Sequence, residues 1–102
     1  MDIDLARQQW DDGLRRVEST RANRTRYWLL HGQVDAVTSA LRQRLGATYT
    51  LHELAEEYGA ADRWARDVVD SIDPEAPPAA DVGTVTDAAF HLYARGAQDY
   101  HP

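Results

Sequence analysis

The chain is 102 residues long, 43% hydrophobic and 27% charged, with a formal net charge of −6. A chain of this size and composition removes roughly 60–65% of its unfolded surface from water on folding, which excludes the fibrous and wholly disordered classes. It holds no cysteine, which excludes disulfides, thiolate catalysis and every Cys-ligated zinc site.

The apolar spacing is helical nearly throughout, and the fold class it predicts is all-α: a compact bundle of about five helices in one domain, residues 1–102. Ile3, Ala6, Trp10, Leu14 and Val17 recur at three- and four-residue steps. Asp2 and Asp4 stand where a helix dipole favours anions, so a helix over about 3–18 follows. Tyr27, Leu30, Val34, Val37, Leu41 and Leu45 give the longest helix, about 26–45, and Gly46 is placed for a left-handed C-cap. Ser19 to Thr25 reads either as a turn or as the joint of one long bent helix. The heptad-like spacing also permits a homodimer through helix 26–45, although packing inside one chain explains it equally.

Thr50 and Glu53 form a capping box, and Tyr49 with Leu54 occupies the positions of a hydrophobic staple, so a short helix starts at Thr50 and ends at Gly59. Ala61, Ala65, Val68 and Ile72 make the next helical stripe, which Asp73-Pro74 terminates. Residues 74–83, with Pro74, Pro77 and Pro78, read as an extended connection. The last helix is predicted from about Thr84 to Ala94, with Thr84 and Asp87 at cap spacing, Val85, Ala89 and Leu92 on one face, and Gly96 closing it.

The helix pair over 50–72 resembles the helix-turn-helix motif of bacterial regulators. Leu54 and Ala55 fit the apolar and small positions of the first helix, Tyr58 packs, Gly59 takes the turn, and Ala65 and Val68 anchor the second helix; Ala60 replaces the usual branched apolar residue. The resemblance implies a second helix that reads the major groove, with Arg63 and Arg66 on bases and Arg42 and Arg44 on phosphates. Against it, the exposed positions Asp62, Arg63, Arg66, Asp67, Asp70 and Ser71 sum to −1, and the preceding helix offers His52, Glu53, Glu56 and Glu57. Such a segment repels phosphates. The phrases TLHELAEEYGAADRWARDVV and DAAFHLYARGA are also similar to small helical proteins of high-GC actinobacteria, a resemblance that brings no activity and no site residues with it.

All eleven basic residues are arginine, and residues 1–47 hold eight of them against six acids, whereas residues 48–102 hold three against eleven. The absence of lysine excludes Schiff-base chemistry and a Walker lysine; with sixteen alanines in the chain, GC-rich codon usage accounts for it equally well. Arg15, Arg16, Arg21, Arg24 and Arg26 are the densest basic run. They read as a guanidinium patch for a partner's carboxylates or phosphates, or as a face solvated or packed against the acidic half of the same chain. Trp10 lies in its helix's apolar stripe and reads as core, whereas Trp28 and Trp64 flank theirs and read as core edge or interface anchors.

Catalytic and metal sets do not emerge. His52 with Glu53 and Glu56 lacks the second histidine of a zinc-protease helix, and Asp87 with His91 is an ordinary helix-surface spacing. Ser19, Ser39 and Ser71 have no activating partner placed by sequence. No apolar run approaches the roughly 20 residues of a membrane span, and the N-terminus lacks the pattern of a signal peptide, so a cytoplasmic protein is expected. The expectation is a small helical protein-binding module, a regulatory adaptor without catalysis, cofactor or metal. It would bind another protein with an acidic patch through Arg15, Arg21, Arg24, Arg26, Trp28 and Trp64. The alternative is a DNA-binding regulator using Arg42, Arg44, Arg63 and Arg66.

Overall fold

The computed structural model describes residues 2–72 and 82–97, and among them the fold is all-α. Helix α1 spans Ile3–Glu18, and the Asp2 side chain caps it by accepting from the Asp4 N–H at 2.9 Å. The chain then breaks. The Ser19 and Thr20 hydroxyls donate to the carbonyls of Arg16 and Val17, each at 2.7 Å, a local bonding that competes with the helical ladder. Asn23 restarts it by accepting from the Arg26 N–H, so α2 runs Arg24–Leu45. Residues 3–45 are therefore two helices, and the second begins two residues earlier than the apolar stripe indicates. Gly46 closes α2 at φ 74°, a region a side chain rarely enters.

Helix α3 spans Leu51–Ala60 and opens on the predicted capping box. The Glu53 N–H donates to Thr50 Oγ1 at 3.2 Å, and the Thr50 N–H to Glu53 Oε1 at 3.3 Å. Gly59 does not end it. The helix passes through Gly59 and tightens into a single 3₁₀ turn at Ala61–Arg63, after which α4 runs Ala65–Ile72. Helix α5 spans Val82–Ala94, two residues longer at its start than predicted. Of the proline-rich connection, residues 74–81 lie outside the described residues, and Val82 and Gly83 belong to the first turn of α5.

Helix α5 is the centre of the fold. Val85, Thr86, Ala88, Ala89, Phe90 and Ala94 are all buried, which leaves Leu92 on the exposed side instead of on the core face predicted for it. Around the fully buried Phe90 stand Trp10, Tyr58 and Trp64, with ring centroids 5.8, 5.1 and 6.4 Å away. Helix α1 lies antiparallel to α5, Arg16 meeting Asp87 and Asp11 meeting His91. The approach is close enough to need a glycine: a Cβ on Gly13 would lie 2.2 Å from Asp87 Cβ and 2.8 Å from the Ala88 nitrogen. At the other end Tyr49 and Tyr93 stack at 4.5 Å. The Tyr49 hydroxyl donates to the Tyr93 carbonyl and the Tyr93 hydroxyl to that of Gly46, and burial beside Tyr93 pushes the Tyr49 pKa up to about 12.

The apolar stripe of α2 is spent inside the chain. Leu30, Val34, Val37 and Leu41 are buried in the common core, so the face that permitted a homodimer through helix 26–45 is already covered.

Candidate functional site

Two places gather chemistry. The first is the N-terminal end of α2, where Trp28 is 65% exposed and Leu29 46% exposed beside the exposed arginines Arg21, Arg24 and Arg26. The rings of Tyr27 and Trp28 lie 5.5 Å apart, and His31 lies 4.4 Å from Tyr27 and 5.8 Å from Trp28. His31 Nε2 is buried without a hydrogen-bond partner. Arg21 pairs with Glu18 at 2.9 Å and lies 5.8 Å from the Tyr27 ring centre; the Tyr27 hydroxyl and then Glu18 push its high pKa up further. The first turn of α2 carries no acidic residue. Cations therefore stand at the end where the helix dipole favours anions.

The basic run is not one surface. Arg15 pairs with Asp12 at 3.1 Å on the outside of α1, whereas Arg16 crosses to α5. Its Nε donates to Thr84 Oγ1 at 3.0 Å and its Nη2 to Asp87 Oδ2 at 2.9 Å. Thr84 and Asp87 thus receive an arginine from α1 instead of capping their own helix, and one member of the run packs against the acidic half of the same chain. Trp64 also leaves the set of anchors. It is 9% exposed and belongs to the core, with the Arg44 guanidinium 4.9 Å above its ring.

The second place is the polar centre around Asp87, where α1, α3 and α5 meet. Tyr58 Oη lies 2.6 Å from Asp87 Oδ1 and 2.9 Å from Gln9 Oε1. Burial pushes the Asp87 pKa up against the downward pull of Tyr58 and Arg16. The same burial, with the Asp87 contact next, pushes the Tyr58 hydroxyl well above its ordinary value. Asp87 and His91 do not act together: His91 Nδ1 faces Asp11 Oδ1 at 2.5 Å, with Arg95 3.2 Å from its other nitrogen. A cleft of about 470 Å³ opens beside Tyr58 and Asp87. Sequence reading missed this centre because its members are scattered over 9, 16, 58 and 87 without a motif. Gly13, whose missing side chain admits α5, was the one local signal.

In the helix pair α3–α4, Leu54, Ala55 and Ala65 are buried and Asp62, Arg63, Arg66, Asp67, Asp70 and Ser71 are exposed, but Val68, assigned to anchor the second helix, is only half-buried and Val69 is buried instead. The bend falls at Ala61–Trp64 instead of at Gly59, where the resemblance puts the turn; the Trp64 N–H bonds the Ala61 carbonyl at 3.1 Å. All four arginines assigned to DNA are exposed, and Arg44 also pairs with Glu57 and lies over the Trp64 ring. No family model, curated protein or solved structure matches this chain. Among the described residues no three His, Asp or Glu side chains gather where they could hold a metal ion, and no helix is long and apolar enough to cross a membrane.

Proposed function

We infer that this protein is a non-catalytic helical interaction module, a regulatory adaptor that binds an acidic surface of another protein through the N-terminal end of α2. One observation carries the reading: among the described residues the most exposed large apolar side chain, Trp28, stands with Leu29 on a helix end that bears arginines and no acid in its first turn. Each part is unfavourable in the free protein. An exposed indole leaves apolar surface in water, and a cation at a helix N-terminus forfeits about 0.3–1 kcal/mol that an anion would gain there. A partner that covers Trp28 and Leu29 and brings carboxylates to Arg21 and Arg24 reverses both terms. Arg26 lies in the first turn of α2 with Arg24, and Arg15, paired with Asp12 on α1, is the member of the set that belongs to another helix.

The test is capture from the native host with wild-type, Trp28→Ala and Arg21→Glu/Arg24→Glu baits. The expected result is a partner retained by wild-type and lost from both variants. Truncating a central Trp anchor costs about 2 kcal/mol or more, roughly thirtyfold in affinity. The melting temperature should barely move, since exposed positions of this kind change stability by about 0.5 kcal/mol or less. An unchanged partner set refutes the reading, and a collapsed melting temperature makes the patch structural. Retention of random duplex DNA at low salt, fading steeply as salt rises, would favour the helix-turn-helix alternative through Arg42, Arg63 and Arg66.

A further inference from the structure

The cleft beside Asp87 lies apart from the α2 patch and has a built wall. Its volume of about 470 Å³ falls within the roughly 300–1,000 Å³ of small-molecule sites. Gly59 and Gly83 both line it, and a Cβ on either would meet nothing within 4 Å. Those two positions leave room for an occupant.

Hydrogen counting shows what the inner wall lacks. Tyr58 has one hydroxyl hydrogen and two oxygens in reach, Asp87 Oδ1 at 2.6 Å and Gln9 Oε1 at 2.9 Å. The shorter, charge-assisted contact to Asp87 takes the hydrogen. Gln9 then either leaves Oε1 without a donor or turns its amide, so that its NH₂ meets Tyr58 and its carbonyl faces the cleft. In either arrangement the Gln9 oxygen receives no hydrogen from Tyr58 and is left to accept from another donor. Arg16 and Tyr58 fix the Asp87 carboxylate from two sides, so the wall is set before any ligand arrives. The cleft is also lined by Arg66, an exposed residue whose guanidinium has five donors and no acceptor, and by the Asp62 carboxylate one turn before it.

We propose that this cleft binds a small zwitterion, a molecule with a primary ammonium and a carboxylate a few carbons apart. The ammonium lies against Asp87 and Gln9 and the carboxylate on Arg66. A primary ammonium supplies three donors to a wall short of them, and a carboxylate matches the fork of the guanidinium. Neither half alone meets both the carboxylate and the guanidinium. A plain amine leaves Arg66 unanswered, and a plain carboxylic acid faces Asp87 with like charge.

The experiment titrates the full chain with glycine, β-alanine and γ-aminobutyrate, and with n-butylamine and butyrate as single-ended controls, following backbone amide shifts in α3 and α5 by NMR. At least one amino acid should saturate by about 10 mM, as a Kd near 1 mM requires, with each control at least about tenfold weaker. Arg66→Gln, at an exposed position, should bring the amino acid down to the affinity of n-butylamine. Gln9→Leu, also exposed, should weaken the amino acid and n-butylamine alike. The proposal is overturned if no amino acid gives a saturable shift, if n-butylamine binds as tightly as the amino acids, or if Arg66→Gln leaves affinity unchanged. Because Trp28 takes no part, loss of cleft binding and loss of partner capture are read separately.

Discussion

Replacing Gly13 by alanine tests how α1 is held to α5. In an exposed helix the change is favourable by about 0.5–1 kcal/mol, because alanine loses less backbone freedom on folding. At Gly13 the new Cβ would lie 2.2 Å from Asp87 Cβ and 2.8 Å from the Ala88 nitrogen, and ordinary contact begins at 3.4 Å. The nearest atoms belong to the Cβ and backbone of α5, not to the tip of a flexible side chain. The two helices must therefore part by about 1 Å along their contact, which also stretches the Arg16–Asp87 bridge. Overpacking of this kind costs about 1–3 kcal/mol, and a rigid neighbour puts Gly13→Ala towards the upper end, about 2 kcal/mol net. For a domain near 100 residues that lowers the melting temperature by about 8–16 °C. Gly32→Ala is the control: it lies inside α2 with nothing within 4 Å of an added Cβ, so the same substitution there should raise the melting temperature by a few degrees. Thermal and urea unfolding followed by far-UV circular dichroism measures both. A Gly13→Ala protein as stable as wild-type would refute the close approach.

Other changes probe the polar contacts. Burial holds the Asp87 pKa above its ordinary value of 3.8, and a carboxyl raised in the folded state contributes stability at low pH that is lost as pH rises through the folded value. The stability of wild-type relative to Asp87→Asn should therefore fall as pH rises above the ordinary carboxyl value of 3.8 in urea titrations; a difference that grows with pH would reverse the assignment. Thr50→Ala removes the capping box of α3 and should cost about 1 kcal/mol, read as a lower urea midpoint with an unchanged slope. Arg44→Ala releases Glu57 and uncovers Trp64. The cost should stay near or below about 1 kcal/mol for a partly exposed pair, with a red shift of tryptophan fluorescence that an unmoved environment would not give.

Local signals in the chain were enough to place several of its helices. Periodicity placed α1 and α2, and Thr50 with Glu53 located the start of α3, because the capping box and the amphipathic stripe are built from residues within one or two turns of each other. Trp10 was legible as core for the same reason. Thr84 and Asp87 show where that reasoning ends. Their spacing is that of a cap, yet their partner is Arg16, about seventy residues away, and a long-range donor outcompetes a local role once α1 lies across α5. Trp64 stands at the flank of its stripe in sequence, but Arg44 and the aromatic cluster around Phe90 enclose it. Gly59 looks like a helix end, and the helix passes through it because packing on either side offsets the roughly 1 kcal/mol that glycine costs. The sequence by itself determined the all-α class, the starts of α1 and α3 and the uneven distribution of charge, all properties of neighbours along the chain. Only the tertiary structure decided which arginines are spent inside the fold, which tryptophan faces solvent, and that Gln9, Tyr58 and Asp87 share a cleft, because those depend on which helix packs against which.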